Sequence, residues 1–505
     1  MVNGHGRPVS VGIVGGGFGG IGMGARLRQA GVTDFTIFER GETVGGVWRA
    51  NTYPGAACDV PSHLYSFSFA PGHAWSRRYA PQPEILEYME ECVERFGLAP
   101  HIRLKTGVDS AAFDEESGRW TLRTEDGEEH EFDVLVTACG QLTNPSVPDI
   151  PGIGDFEGTV FHSAEWDHGH DLTGERVAVI GTGASAIQFV PAIADRVRSM
   201  DVYQRSAPWI LKKRDRAYPR WERELFRRVP ARVAAARLGN FAFFEMGTYA
   251  FTGTKWMARS AGRMCDLERR QALADDPELL EKTRPDYEFG TKRVLFTADW
   301  YPTLRRENVT LVTDGIERIT AGGVRTVDGA ERPADTIIWG TGFQSHDFVA
   351  PMRVEGVAGR ELNDVWADRP EAYLGTTVTG FPNMFVLYGP NTNHGSGSVP
   401  YTLECQFTYV IDAIEKLRDR DLLWVDLKPE VQRSWREEIE RRSAKTQWVS
   451  GGGSNWYVTE QGINTNNWPG PWLEYRRRTR HLNPGDYRAA RRAGAVSSPR
   501  RAVRT

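Results

Sequence analysis

The sequence predicts an α/β fold with two parallel-sheet units, and three observations lead to it. Two short β-branched strands, VSVGIV and RVAVI, each run into a glycine-rich turn and then into a helix-like stretch. Strands that alternate with helices indicate parallel sheets. Between 214 and 290 the composition changes to arginine, glutamate, alanine and aromatic residues with helical periodicity. We therefore predict two Rossmann-like dinucleotide-binding domains, with an all-helical insertion in the second.

The first β-α-β unit occupies the first 40 residues. VSVGIV precedes Gly15, Gly17 and Gly20 in the spacing G-x-G-x-x-G, and the strand FTIFE ends in Glu39. In this motif the first glycine permits a tight turn, the second lets the backbone approach a pyrophosphate, and the third lets the helix pack on the strand. Glu39 would accept a hydrogen bond from a ribose 2′-hydroxyl. An adenine dinucleotide site is predicted, and a plain glycine-rich turn is the alternative.

A second unit repeats the pattern at 177–206. Gly181 and Gly183 follow its first strand, and its second strand ends in Arg205 and Ser206, with no acid where the first unit has one. An arginine at that point suits a 2′-phosphate, which predicts NADP rather than NAD. A surface arginine is the alternative interpretation.

Two dinucleotide sites in one chain are explained if a nicotinamide on one site passes electrons to a flavin on the other. This makes FAD the ligand of the first unit and NADP the ligand of the second. Apolar strands that end in small-residue turns, at 132–152 and 335–343, are the predicted crossings between the domains. The predicted organisation is an FAD-binding domain in two parts (1–147 and 340–487), an NADP-binding domain (148–339) with a helical insertion at about 214–290, and a flexible basic tail (488–505).

Composition and cysteine spacing exclude several classes of protein. The formal net charge of −4 offers no general attraction to nucleic acid. The five cysteines lie far apart with no C-x-x-C pair, which indicates a reduced cytoplasmic chain without a metal site. The N-terminus leaves no room for a signal peptide before VSVGIV, and the apolar stretch 241–251 is too short to span a bilayer. We expect a cytoplasmic protein without a membrane span.

The aromatic residues of the insertion and the arginines of the tail each leave two interpretations open. Phe241, Phe243, Phe244 and Tyr249 have the spacing of internal helix packing, and a lid over the flavin is the alternative. The tail has arginines and no acid, which predicts a solvated segment, with a membrane or partner role as the alternative.

A third motif lies between the two glycine-rich turns and carries a resemblance. It reads F-x-G-x-x-x-H-x-x-x-W-D and consists of Phe156, Gly158, His162, Trp166 and Asp167. Further motifs accompany it, namely GGVW at 45–48, YPGAACDV at 53–60, GTKR at 290–293, GTGF at 340–343 and FPNMFVLYGPNTN at 381–393. Together they resemble the Baeyer–Villiger monooxygenases over nearly the whole chain. That family uses FAD and NADPH to insert an oxygen atom beside a ketone.

The resemblance implies a set of cofactor-binding residues. FAD falls on Gly15, Gly17, Phe18, Gly20, Glu39, Gly46, Val47, Trp48, Asp59, Val60 and Tyr65. NADP falls on Gly181, Gly183, Ala184, Ser185, Gln188, Arg205, Ser206 and Lys292, and Thr341 and Gly342 are further cofactor contacts. The residues of the motif F-x-G-x-x-x-H-x-x-x-W-D form the family fingerprint, and its His162 and Trp166 are expected to couple the two domains as they rotate. From the residues alone, His162 is also compatible with a purely structural histidine.

Arg293 matches the arginine that this family places over the flavin. Reduced flavin reacts with dioxygen to give a flavin peroxide, which must stay deprotonated to attack a carbonyl carbon. A guanidinium stabilises such an anion and does not act as an acid at working pH. Asp59 is expected to hold Arg293 through a charge-assisted pair. A solvated basic pair, or phosphate binding by both residues, are alternative roles for Lys292 and Arg293.

The predicted function is therefore an NADPH- and oxygen-dependent monooxygenase acting on a small apolar ketone or thioether, as a monomer or homodimer. The alternative within oxygenases is a flavin monooxygenase that acts on nitrogen or sulfur. A flavin disulfide reductase would need paired cysteines, and a non-catalytic flavin module would have lost Arg293. The segment 455–487 departs from the better-known family members, so Trp456 and Trp468 are candidate pocket or lid residues without an assigned role.

Overall fold

A computed structural model describes residues 7–451 and 455–491 of this chain. Its first sheet is parallel and five-stranded, in the order Met384–Val386, Val134–Thr137, Val11–Val14, Phe35–Phe38, Ile102–Arg103. Its strands are near-continuous apolar runs because such sheets are covered on both faces. Four of the five strands precede residue 138, and the fifth returns from beyond residue 380.

The second sheet is also parallel and five-stranded. Its order is Val309–Val312, Ser199–Tyr203, Arg176–Ile180, Thr336–Trp339, Thr159–His162. All of its strands lie between residues 159 and 339. Two parallel sheets, each with a glycine-rich turn after a central strand, confirm the predicted fold class.

Smaller sheets complete the strand content. They are Arg353–Glu355 with Val108–Asp114, Arg119–Thr124 and Glu129–Phe132; Ile316–Thr320 with Gly323–Thr326 and Glu331–Pro333; Ile210–Leu211 with Leu295–Phe296; and Leu422–Leu427 with Tyr487–Arg491.

The helices cover both large sheets and form the insertion. The α-helices are Phe18–Gln29, Val47–Ala50, Gln82–Arg95, Ala186–Ile193, Arg220–Arg228, Pro230–Phe251, Lys255–Ala272, Pro277–Lys282, Trp300–Leu304, Leu362–Trp366, Val399–Asp419, Pro429–Ser443, Gln447–Ser450 and Trp472–Arg478. Short 3-10 turns occur at Ala99–His101, Ile153–Asp155, Ser163–Glu165, Val357–Gly359 and Pro484–Asp486. Among the described residues, none of the helices combines the length and the apolar character needed to cross a bilayer.

The structure corrects the internal packing predicted for the aromatic residues of the insertion. Phe244 is buried and Phe241 is partly buried, but Phe243 and Tyr249 are 64% and 40% exposed. These residues lie on one long helix, Pro230–Phe251, which has only one face against the rest of the protein. Helical spacing alone did not determine which aromatic side chains point inward.

The predicted start of the tail at residue 488 is also wrong. Residues Tyr487–Arg491 form an antiparallel strand against Leu422–Leu427. Tyr487 anchors this strand because its hydroxyl is 2.6 Å from that of Tyr409 and 2.9 Å from Thr377 Oγ1. The remainder of the predicted tail, 492–505, lies outside the described residues.

Candidate active site

One continuous cavity of about 1360 Å³ connects the two glycine-rich turns. It exceeds the range of about 300–1,000 Å³ that is usual for a single small-molecule site. Its wall also includes Arg293 and the segment around Tyr388. The volume and the two turns suit more than one ligand.

In the first turn, packing within the protein excludes a side chain at Gly15 and Gly20 but not at Gly17. Gly15 has a φ of +110°, and a Cβ there would lie 2.5 Å from the carbonyl oxygen of Ala138. A Cβ on Gly20 would lie 1.9 Å from the carbonyl oxygen of Gly15. At Gly17, by contrast, the nearest atom would be Gly46 Cα at 3.5 Å, an ordinary contact. The glycine at 17 is therefore explained by the close approach of a ligand, which fits a dinucleotide pyrophosphate.

In the second turn, likewise, protein atoms exclude a side chain at the first glycine of the motif but not at the second. Gly181 has a φ of +107°, and its Cβ would lie 2.5 Å from the carbonyl oxygen of Gly340. At Gly183 the nearest atom, the same oxygen, would be 3.7 Å away. The helix Ala186–Ile193 begins directly after this turn, so its amide groups face the cavity end where a phosphate would lie.

Glu39 lies on the cavity wall at the end of the strand Phe35–Phe38 and is buried. Its Oε2 accepts from the amide of Gly16 at 2.8 Å, and its Oε1 accepts from the amide of Gly41 at 2.7 Å. Arg49 Nη2 is 3.3 Å from the same Oε1. The carboxylate therefore orders the glycine turn and faces the space where a ribose would bind.

Lys292, Arg205 and Ser206 converge on one cationic pocket. Lys292 Nζ donates to Ser206 Oγ at 2.7 Å and lies 4.7 Å from the centre of the Tyr287 ring. Burial and then the positive charge of Arg205 lower the pKa of Lys292, while Asp286 acts in the opposite direction. Two cations that repel each other beside a hydroxyl group fit a phosphate monoester, which would relieve the repulsion.

Arg293 and Asp59 form an ion pair at the cavity, with 3.3 Å between Arg293 Nη2 and Asp59 Oδ2. Lys213 Nζ lies 3.6 Å from the other carboxylate oxygen, Asp59 Oδ1. Burial acts to lower the pKa of Arg293, but the charge of Asp59, followed by Tyr457 and Tyr388, outweighs it and the pKa is raised. The cavity thus contains a permanent cation held by a partly buried carboxylate.

Gln188 joins the second glycine turn to the segment 53–60. Its side-chain amide accepts from the backbone N–H of Ala57 at 3.2 Å and donates to the carbonyl of Ala57 at 3.0 Å. Tyr53 also donates to Gln188 Oε1, at 3.1 Å. Gln188 was predicted as an NADP contact; it lines the cavity, but both ends of its amide are engaged with the protein.

No fingerprint residue lines the cavity among the described residues. His162 Nδ1 accepts from the amide of Ala164 at 3.1 Å, and its ring meets the edge of Phe343 at 5.8 Å between centroids. Trp166 packs on the ring of Phe189, in the helix after the second turn, at 5.4 Å. The motif therefore supports the cavity wall from behind, because Phe343 itself lines the cavity.

Every other predicted site residue except Gly20 lines the cavity. They are Gly15, Gly17, Phe18, Glu39, Gly46, Val47, Trp48, Asp59, Val60, Tyr65, Gly181, Gly183, Ala184, Ser185, Gln188, Arg205, Ser206, Lys292, Arg293, Thr341 and Gly342. Gly20 instead allows the helix Phe18–Gln29 to pack against the turn. Trp456 lines the cavity, whereas Trp468 is buried and stacks on Trp435 at 5.8 Å.

Sequence reasoning missed Lys213 and His394. Nothing in the composition around Lys213 indicated that it approaches Asp59. His394 follows directly after the quoted motif FPNMFVLYGPNTN and lines the cavity, with its ring 4.9 Å from that of Trp472. Neither of its ring nitrogens has a hydrogen-bond partner among the described residues, and burial lowers its pKa to about 3.

Comparisons with known proteins agree with this geometry. A family model described as flavin-binding monooxygenase-like matches residues 9–239. A Baeyer–Villiger monooxygenase of Pseudomonas aeruginosa is 43% identical over 482 residues, covering 95% of this chain and 91% of that protein. Another Baeyer–Villiger monooxygenase, from Streptomyces coelicolor, is 42% identical over 492 residues, covering 96% of this chain and 94% of that protein. A solved oxidized steroid monooxygenase bound to NADP is 32% identical, with a TM-score of 0.85, and the match covers 95% of this chain and 99% of that one.

Proposed function

This chain belongs to the Baeyer–Villiger monooxygenases, FAD- and NADPH-dependent enzymes that insert one oxygen atom beside a ketone carbonyl, and we propose which of its residues bind the cofactors and which stabilise charge during the reaction. The observation that carries the proposal is the Arg293–Asp59 ion pair, which lies in the same cavity as both glycine-rich turns. This arrangement supports oxygenation at a site that both cofactors reach.

We assign the cofactors to the two turns and the discontinuous domains to the two sheets. The first turn and Glu39 would hold FAD, and the second turn with Arg205, Ser206 and Lys292 would hold NADP. When bound, these cofactors supply hydride transfer and the reduction of dioxygen. The sheet membership supports an FAD domain formed by 1–147 and 340–487 around an NADP domain at 148–339.

Arg293 provides a fixed positive charge at the reacting carbonyl. A guanidinium does not release a proton at working pH, so it stabilises negative charge on oxygen without protonating it. As the substrate carbon becomes tetrahedral, its carbonyl oxygen gains negative charge, and a preorganised cation stabilises that charge.

Asp59 is a positioning residue for Arg293. It is partly buried, and its two oxygens face two different cations, Arg293 and Lys213. Lys213 therefore limits the rotation of the carboxylate and leaves Oδ2 for the guanidinium. His162 and Trp166 would act from outside the cavity. His162 would hold the wall at Phe343 and Trp166 the helix at Phe189, so that the two domains keep their relative position.

The substrate proposed for this cavity is an apolar ketone, and a thioether is a second candidate because sulfur accepts oxygen from the same cofactors. Phe244, Val399 and Leu403 contribute apolar side chains to the wall. His394 also lines the cavity, and it stays neutral at working pH since burial lowers its pKa to about 3.

The test is oxygenation of a ketone panel by the purified holoenzyme with NADPH and ¹⁸O-labelled dioxygen, analysed by mass spectrometry. The wild type is expected to form an ester or lactone that carries one labelled oxygen atom. Arg293→Ala is expected to oxidise NADPH and release hydrogen peroxide without ester, while the surface control Arg318→Ala behaves as wild type. If the wild type forms no labelled ester from any ketone but oxygenates amines or sulfides, the assignment of Arg293 is wrong.

A further inference from the structure

The exposed apolar side chains of this protein are concentrated in the helical insertion. Nine of the 17 large hydrophobic residues that are exposed among the described residues lie between 221 and 267. They are Trp221, Val229, Leu238, Phe243, Met246, Tyr249, Trp256, Met264 and Leu267, and we call this set the helical surface. It contains every exposed tryptophan, phenylalanine and tyrosine found in the described part of the chain. Scattered exposed hydrophobic residues are normal, but such a concentration marks an interaction site.

The residues of the helical surface lie on three adjoining helices and on Val229, which links the first two. Leu238, Ala242, Met246 and Tyr249 follow one another at three- and four-residue spacing along Pro230–Phe251, so they form a single exposed stripe. The helices Arg220–Arg228 and Lys255–Ala272 both contact this helix and contribute Trp221 and Trp256. The two tryptophans are 66% and 69% exposed.

The same segment is strongly basic, although the whole chain is slightly acidic. Residues 220–267 contain nine arginines and lysines but four acids, three glutamates and Asp266, and Asp266 pairs with Arg269 and Arg270. Each of the three glutamates is already engaged: Glu222 with Arg216, Glu224 with Arg227, and Glu245 with the backbone amide of Trp472. Exposed cations without an acidic partner in the described structure remain, namely Arg220, Lys255, Arg259 and Arg263.

The charge decides between two possible occupants of this surface. A second copy of the chain, related by a two-fold axis, would bring the same unpaired arginines together across the interface, which is unfavourable. A bilayer with anionic headgroups would attract these cations, and it would accept the tryptophan and phenylalanine side chains at its polar–apolar boundary. Because none of the described helices is suited to cross a bilayer, such contact would be confined to one leaflet.

We propose that the helical surface docks on an anionic phospholipid membrane, with Trp221, Phe243 and Trp256 inserted among the headgroups. The docking helix has two functional faces. Its outer face carries Phe243 and Met246, and its inner face contributes Phe244 to the cavity wall. Docking therefore brings the wall of the cavity next to the source of an apolar substrate.

The test is co-sedimentation of the full-length holoenzyme with vesicles of phosphatidylcholine, with or without about 30% phosphatidylglycerol, at low and high salt. The wild type is expected to bind only the anionic vesicles and to dissociate at high salt. Arg259→Glu/Arg263→Glu is expected to weaken partitioning by on the order of 30-fold or more, since each basic residue near the surface is worth about fivefold. Phe243→Ser/Trp256→Ser should also weaken partitioning onto the anionic vesicles, although it leaves the net charge of the protein unchanged.

Matched controls separate this surface from other parts of the chain. Arg433→Glu/Arg441→Glu makes the same charge change at exposed positions outside the surface, and Val327→Ser removes an exposed apolar side chain elsewhere. Both controls should bind vesicles as wild type does. All variants keep the C-terminal arginines, so a difference between variants reports on the helical surface.

Three results would overturn the proposal. The first is no binding of wild type to anionic vesicles, and the second is equal binding by the surface variants and their controls. The third is a dimeric mass in solution that Phe243→Ser/Trp256→Ser reduces to a monomer, which would assign the surface to a second copy. Oxygenation of a water-soluble ketone should be unchanged in all these variants, so failure of docking is distinguishable from failure of the proposed catalytic site.

Discussion

Arg293 and Asp59 are separated by 234 positions in the sequence, yet Arg293 Nη2 lies 3.3 Å from Asp59 Oδ2. The two residues come from segments that the sequence assigns to different domains, the arginine from the NADP-binding part and the aspartate from the FAD-binding part. With the proposed domain division, their contact depends on how the two domains meet, and it connects domain arrangement to the position of the charge that we propose to be catalytic.

Replacing Asp59 by Asn should impair oxygenation without abolishing cofactor binding. The neutral amide loses the charge-assisted pair, so the guanidinium is no longer held in one place. We expect kcat for ester formation to fall by about 10- to 100-fold, since hydrogen bonds to charged groups contribute about 1.5–3 kcal/mol, with a matching rise in hydrogen peroxide per NADPH consumed. A rise in KM for NADPH or loss of bound FAD, with the peroxide yield unchanged, would contradict the positioning role.

Lys292 should determine the preference for NADPH over NADH. Lys292→Ala removes one of two cations from the phosphate pocket and is expected to raise KM for NADPH by about 10- to 100-fold, the range for a charge-assisted contact. KM for NADH should change little because NADH has no 2′-phosphate. Lys255→Ala, at an exposed site, is the control for loss of a lysine. Equal effects of Lys292→Ala on both coenzymes would show that Lys292 does not contact the phosphate.

Glycines that protein packing requires and glycines that a bound ligand requires should respond differently to an added methyl group. Gly17→Ala and Gly183→Ala are expected to fold, since their nearest protein atoms are 3.5 and 3.7 Å from the added carbon, but to lose FAD and NADP binding respectively. Gly20→Ala is expected not to fold, because its carbon would lie 1.9 Å from a carbonyl oxygen. Flavin absorbance, coenzyme binding and thermal unfolding measure these outcomes, with Gly154→Ala as a control in open space. A Gly17→Ala protein that retains FAD would refute the pyrophosphate assignment.

Two buried histidines should make the protein less stable in acid. Burial lowers the pKa of His63 to about 4 and that of His394 to about 3, from an ordinary value of 6.5. Below pH 6.5 the unfolded chain therefore binds protons that the folded chain does not, so stability falls as the pH drops toward these values. Each group contributes at most about 1.4 kcal/mol per pH unit in that window.

Melting temperatures of His394→Leu and wild type at several pH values between about 5 and 7 test this prediction. The variant should lose less stability on acidification, and near neutral pH it should be at least as stable, because two unpaired buried nitrogens are removed. The exposed His481→Leu serves as the control. Parallel pH profiles for wild type and His394→Leu would show that His394 is not buried in the neutral form.

Local motifs allowed much of the cavity to be predicted. The strand–glycine–helix units placed Gly15, Gly17, Gly181 and Gly183 on turns that line one cavity, because the spacing itself demands a tight turn before a helix. The motif containing Arg293 was recognised from the resemblance to the family. The outward direction of Phe243 and the strand that begins at Tyr487 were not predicted, since neither depends on the neighbours in sequence.

By itself, the sequence determined the two dinucleotide-binding units and the glycines that their turns require, because these features depend on residues within about one supersecondary unit of each other. It also identified the family of the enzyme, from short motifs spread over nearly the whole chain. Only the tertiary structure decided that Lys213 faces Asp59, that Gln188 binds the backbone of Ala57, and that the insertion exposes an apolar and basic surface. Each of these contacts depends on which faces of distant segments pack together. A short-range pattern specifies the shape of an element, whereas burial and charge pairing are properties of the assembled domains.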